Sequence, residues 1–188
     1  MKPLFLIVFI TISVSTTFST SLAADLKEGF MEYRWKETIS EYPQLREIRR
    51  QGDISYYRSP SQTYTIDEIV INDVVYGFYN NMLFAVYIGL DTLEKYDIIK
   101  RYLQSKYGLP GTKVSTQEYL KTYHWRYEDI TIKLKSHQID TKMKLAFYYR
   151  PLSRELRQEQ LEEITESTFK FFPIDKNKQP ERIPFLEF

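Results

Sequence analysis

The chain contains no cysteine. That absence excludes a disulfide framework, a thiolate metal site, a cysteine nucleophile and the cysteine-linked lipid anchor of exported lipoproteins. Histidine is almost as scarce. His124 and His137 are the only two, too few for a zinc site without a set of acids spaced around them. The six glycines are scattered, and none builds a glycine-rich turn ahead of a helix, which excludes a phosphate loop. No Gly-x-Ser-x-Gly elbow and no glycine-containing calcium loop is present. An excess of one charge is also missing. Lys and Arg number 26 against 25 for Asp and Glu, whereas a dedicated nucleic-acid binder carries a strong basic surplus. From these absences no metal and no cofactor is expected, and no catalytic residue stands out.

What is present is a globular composition, 43% hydrophobic and 27% charged, with 16 tyrosines and 12 phenylalanines among 188 residues. The first 23 residues differ from the rest. Lys2 supplies a positive start, residues 4–14 form an apolar run interrupted only by Thr11 and Ser13, and small residues at Ser21 and Ala23 fit a signal-peptidase site. The run is about half of the ~20 residues needed to span a bilayer. Residues 1–23 are therefore expected to be a cleaved export signal. Its removal takes away one base and no acid and leaves the charges balanced. No later stretch is long and apolar enough to span a membrane. The expected location is outside the cytoplasm, in a bacterial periplasm.

Residues 24–169 read as a single domain of the α+β class, a largely antiparallel sheet of β-hairpins and a meander with two helices. The central helix is expected over residues 92–107. Asp91 offers an N-cap with Glu94 three residues on, Tyr96, Ile99, Leu103 and Tyr107 fall on one face, and Gly108 and Pro110 end it. Strands are expected at 73–79 and 82–89 around Asn80-Asn81, then at 119–127, 130–136 and 143–151. Earlier, residues 37–43 suggest a helical turn stopped by Pro43, and 44–50 with 53–58 a hairpin around Gln51-Gly52. A polar helix with acids at Glu162, Glu163 and Glu166 is expected over 153–169. Residues 170–188, with Pro173, Pro180 and Pro184 and several phenylalanines, read as a tail that either folds back on the domain or docks elsewhere.

Four segments occur in order: Gly29-Phe30 with Trp35, Asp53-Ile54-Ser55-Tyr56-Tyr57-Arg58, Tyr76-Gly77-Phe78-Tyr79, and Lys106-Tyr107-Gly108-Leu109-Pro110. In these the chain resembles a group of small exported bacterial proteins to which no activity is assigned. The resemblance spans residues 29–152. It implies an exported domain of that extent and carries no catalytic residue with it.

Strand alternation gives the candidate surface. With Tyr123, Trp125 and Tyr127 turned to the core, His124 and Arg126 face the other way, and Lys133, Lys135, Lys144 and Tyr148 share that second face. Such a basic, partly aromatic face suits an anionic polymer or an acidic protein segment, or else is covered by the acidic C-terminal helix. Tyr76, Phe78, Phe84, Trp125 and Phe147 are expected in the core, with Tyr79 and Tyr87 pointing outward. The function expected is a non-catalytic periplasmic binding or cell-envelope accessory module. The alternatives are a small hydrolase of envelope polymer and a structural subunit of an envelope assembly. The partner is expected to be an envelope protein or an anionic polymer, not a nucleic acid, and the oligomeric state stays open.

Overall fold

The structure, a computed structural model, describes residues 26–116, 119–137, 141–156, 160, 164 and 168–172. The expected export signal lies outside the described residues, as does most of the expected 153–169 helix and of the tail.

Two short strands, β1 (Gly29–Phe30) and β2 (Tyr33–Arg34), open the chain, followed by a 3-10 turn at Ile39–Glu41. Then come β3 (Arg46–Gln51), β4 (Ile54–Arg58), the small hairpin β5 (Tyr64–Ile66) and β6 (Ile69–Ile71), β7 (Val74–Tyr79) and β8 (Met82–Leu90). Helix α1 (Leu93–Tyr107) leads to β9 (Gly111–Ser115), β10 (Leu120–Tyr127), β11 (Ile130–His137) and β12 (Lys142–Tyr149), and a single helical turn, α2 (Arg150–Ser153), follows. Eight strands form one sheet in the order β3-β4-β7-β8-β12-β11-β10-β9, every neighbouring pair antiparallel. The fold is the expected α+β, largely antiparallel. Helix α1 carries the chain from β8 in the middle of the sheet to β9 at its edge. Three successive hairpins then bring it back until β12 lies against β8.

Local chemistry explains these elements. The turn between β7 and β8 holds Asn80 and Asn81 at φ 48° and 65°, the left-handed region that asparagine tolerates and a two-residue hairpin requires. The α1 cap is a correction to the expected one: Thr92, not Asp91, accepts the Lys95 amide at 3.2 Å. Asp91 sits one residue too early and instead pairs with Lys95 Nζ at 2.9 Å. At the other end Gly108 takes φ 80° and its amide closes on the Gln104 carbonyl, as a C-terminal glycine does. Three elements went unforeseen: β1–β2, β5–β6 and β9, each too short to show a period.

The sheet has two apolar faces, and the chain covers both. On the first face α1 lays Tyr96, Ile99 and Leu103, beside Trp125, whose indole N–H reaches the Gly108 carbonyl at 2.8 Å. The N-terminal arm and the β5–β6 hairpin cover the remainder with aromatic rings. Phe30 packs on Phe147 and Tyr64, Tyr33 on Tyr76, and Trp35 stacks on Tyr149. Tyr76, Phe78, Phe84, Trp125 and Phe147 are core residues, as expected. The Tyr64 and Tyr76 hydroxyls meet at 2.8 Å, and Tyr64 also donates to Glu32, so the polar ends of these two rings are paired.

Those tyrosines set a pH limit. Burial is the largest cause in each case. It pushes the Tyr42 hydroxyl up to about 12 and those of Tyr64, Tyr76, Tyr87 and Tyr107 further above the ordinary value. A folded-state value above the unfolded one means that the unfolded chain loses its protons first. The stabilisation is whole below about pH 10 and falls as the pH rises beyond it. In an alkaline titration Tyr42, Tyr64, Tyr76, Tyr87 and Tyr107 are expected to ionise only above about pH 10, in one cooperative step that coincides with loss of the sheet's circular dichroism. A smooth titration of all tyrosines near pH 10 with the sheet intact would contradict this.

Candidate functional site

The sheet register places all six sequence-derived surface residues on the second face. His124 lies opposite Lys133, and Arg126 opposite Thr131. Thr131 in turn faces Tyr148, and Lys135 faces Lys144. The surface they form is nevertheless divided. His124 and Arg126 are exposed and Lys133 is half-buried, whereas Lys135, Lys144 and Tyr148 are buried.

The division comes from the C-terminal segment. Residues Thr168–Phe171 form a 3-10 turn lying on β12. The Lys144 ammonium donates to the Thr168 hydroxyl. The Phe171 ring packs 4.9 Å from Tyr56, and its carbonyl accepts from Arg58 at 3.0 Å. Phe172 is buried against Gly89, where a Cβ would lie 2.5 Å from the ring. Arg58 also reaches Asp73 at 2.9 Å, tying the segment to the loop before β7. Leu156 and Ile164 are buried as well. Thr168–Phe172 therefore packs against the sheet.

This cover accounts for Tyr87. Expected to point outward, it does leave the first face, yet it is fully buried, packed between Tyr56 and Tyr148 with Lys144 Nζ 5.8 Å above its ring. Tyr79 is half-buried. Burial, with Lys135 and Lys133 close by, holds the Lys144 ammonium well below the ordinary lysine value. Lys133 lies 5.1 Å over the Tyr148 ring.

Away from this cover, residues of the β9–β10 margin are exposed. The two ends of the sheet differ. Strand β3 carries Arg46, Glu47, Arg49 and Arg50 and breaks register between Glu47 and Arg49. Charge and a bulge of this kind blunt an edge. Strand β9 pairs with β10 without a break, from Ser115 opposite Leu120 to Gly111 opposite His124. Among the described residues no strand pairs with its outer side. From Gly111 through Val114 every residue is exposed. Val114 is 46% exposed and Leu109, just before the strand, 91%. Tyr127 is exposed at the far end of β10 and packs 5.2 Å from Tyr107.

The margin is built closely. The His124 ring crosses Gly111, where a Cβ would come within 2.3 Å of the ring as it lies. On the first face Lys100 and Lys121 both sit over the Tyr123 ring, at 4.8 and 5.1 Å. Pairing puts Lys113 on the second face with His124 and Arg126. Thus two of the sequence-derived residues, His124 and Arg126, belong to this margin. Lys135, Lys144 and Tyr148 belong under the cover, and Lys133 lies between. Sequence reasoning missed β9 itself. The available signal was Thr112-Lys113-Val114, β-compatible residues that the preceding Gly-x-Pro had marked as the end of a helix. Among the described residues no group of three or more acids and histidines is placed to hold a metal, and no helix is long and apolar enough to cross a membrane. No family model, no curated protein and no solved structure matches this chain.

The cover can be tested at one atom. The Gly89→Ala substitution is expected to drive Phe172 off the sheet, because the added methyl occupies the place of the ring. Hydrogen exchange should then speed up at residues 168–172 while β7, β8 and β12 keep their protection. Unchanged exchange at 168–172 would show that Phe172 does not hold the segment down.

Proposed function

We propose that this protein is an exported, non-catalytic binding module of the bacterial cell envelope, and that it takes an extended segment of a partner protein as an added strand along β9. The observation that carries the reading is the contrast between the two sheet ends, one bulged and densely charged, the other regular, exposed and flanked by Val114 and Leu109. An open edge offers unpaired N–H and C=O groups at strand spacing, and main-chain pairing supplies affinity without any prior pocket. The signal-like residues 1–23 support export. The groups with the largest shifts in protonation, Tyr64, Tyr76, Tyr87 and Lys144, are packed in the interior, where they serve the fold rather than a reaction.

A photo-crosslinker placed at Lys113 on β9, and separately at Arg49 on β3, in the full chain expressed in its own envelope, tests this. Capture is expected from Lys113 and not from Arg49, with the crosslinked residues of the captured protein clustered in one short segment. Equal capture from both edges, or crosslinks scattered over many proteins, would sink the reading. Recovery of the chain only in the cytoplasm would sink its envelope part.

A further inference from the structure

The β9 margin has a sign. Between residues 100 and 127 the chain carries Lys100, Arg101, Lys106, Lys113, Lys121 and Arg126 against one acid, Glu118, although over the whole chain bases and acids are nearly equal. The fold gathers part of this surplus at one edge. Lys113 projects from β9 itself, with Arg126 and His124 on the same face of β10. Lys121 and Lys100 flank the other face above Tyr123. A strand laid along β9 would therefore run between cations on both faces. Val114, on the first face, and Leu109, at the start of the strand, give it apolar contacts. Side chains of an added strand alternate between the two faces with period two. The surface that complements β9 is thus an alternating one, with acids opposite Lys113 and Arg126 and apolar residues beside Val114.

Resting on the strand-addition reading, we infer that the segment β9 accepts is an extended, acidic stretch of a partner protein in which carboxylates alternate with apolar residues. Backbone pairing holds it, and the cations select it. Charge complementarity of this kind governs association rate and discrimination, and it weakens as salt rises.

The probe is a short peptide of alternating glutamate and valine, compared with its lysine–valine counterpart and with the same glutamate peptide N-methylated at alternate backbone amides. Each is titrated against the protein by fluorescence anisotropy at low and at physiological ionic strength. The glutamate peptide is expected to bind, the lysine peptide to bind at least about tenfold more weakly, and N-methylation to abolish binding. The K113E/R126E variant, whose two substitutions lie on exposed side chains, should lose about tenfold in affinity for the glutamate peptide and gain for the lysine one, tenfold being ~1.4 kcal/mol. Intact circular dichroism and an unchanged urea midpoint establish that this variant is folded. Equal binding of the two unmodified peptides, with the glutamate peptide's binding lost on N-methylation, overturns the acidic selection and leaves strand addition standing. Binding of the glutamate peptide that survives N-methylation overturns the inference, since attraction alone would then account for it. No binding by either unmodified peptide overturns both.

Discussion

The antiparallel pairing of β8 with β12, running from Leu90 opposite Met143 to Ala85 opposite Tyr148, is the joint on which the molecule depends. It unites two hairpin systems that are otherwise local, β3-β4-β7-β8 and β12-β11-β10-β9. Every other neighbour pair but one in the sheet is joined by a short connection or a tight turn. The exception, β4 to β7, is bridged by the β5–β6 hairpin. β8 and β12 are separated by α1 and three strands, so the chain must close a long loop before this pairing is rewarded. Its register then decides every face assignment. Val86, Ile88 and Leu90 meet Phe147, Leu145 and Met143 on the side of α1, and Ala85 and Tyr87 meet Tyr148 and Ala146 on the other. A slip of one residue would exchange those sets.

A sheet so formed is apolar on both faces at its centre, which is where both covers fall. Helix α1 and the N-terminal arm bury the first face through rings. Paired hydroxyls, Tyr64 to Tyr76 and Tyr33 to Gln62 at 2.5 Å, meet the polar ends of those rings. On the second face the centre holds Gly77, Ala85, Gly89 and Ala146, small residues among Tyr56, Tyr87 and Tyr148. Small residues at the middle of a strand leave space that a second layer fills. Here Phe172 sits on Gly89 and Phe171 on Tyr56. Lys144 is buried in the same layer, and burying an ammonium is costly unless it is partnered. Its bond to Thr168 and its position over the Tyr87 ring reduce that cost.

The parts of this fold legible in the sequence were those written in local chemistry. Asn80-Asn81 announces its turn by residue type, Ile130, Ile132 and Leu134 announce a buried face by alternation, and Gly108 announces the end of α1. The candidate surface was legible halfway. Alternation placed His124, Arg126, Lys133, Lys135, Lys144 and Tyr148 on one face, and the register agrees. It could not divide them, because exposure depends on what lies across the face, and Thr168–Phe172 arrives there through tertiary packing. Tyr87 was read as outward for the same reason. Thr92 replaced Asp91 as the cap because the helix begins one residue later than the acid spacing suggests. Strand β9 stayed hidden because five residues with glycine at the start present no period. Its strand character comes from pairing with β10.

The second face and the β9 edge are consequences of one arrangement. Its C-terminal cover lies on β4, β8 and β12, with Phe171 on Tyr56, Phe172 on Gly89 and Thr168 on Lys144. At the margin beyond this cover α1 lies on the first face, and the second-face side chains Arg126, His124 and Lys113 are exposed. Among the described residues β9 pairs with β10 alone, and a strand at a sheet end turns part of its backbone away from its neighbour. At β3 the same exposure is blunted with a bulge and three arginines. At β9 it is left regular, with one lysine, one glycine and an exposed valine along its length. Edges are ordinarily protected against pairing with other chains. The sheet therefore ends in two different ways, in a bulged strand crowded with arginines at β3 and in a regular strand beside a basic flank at β9.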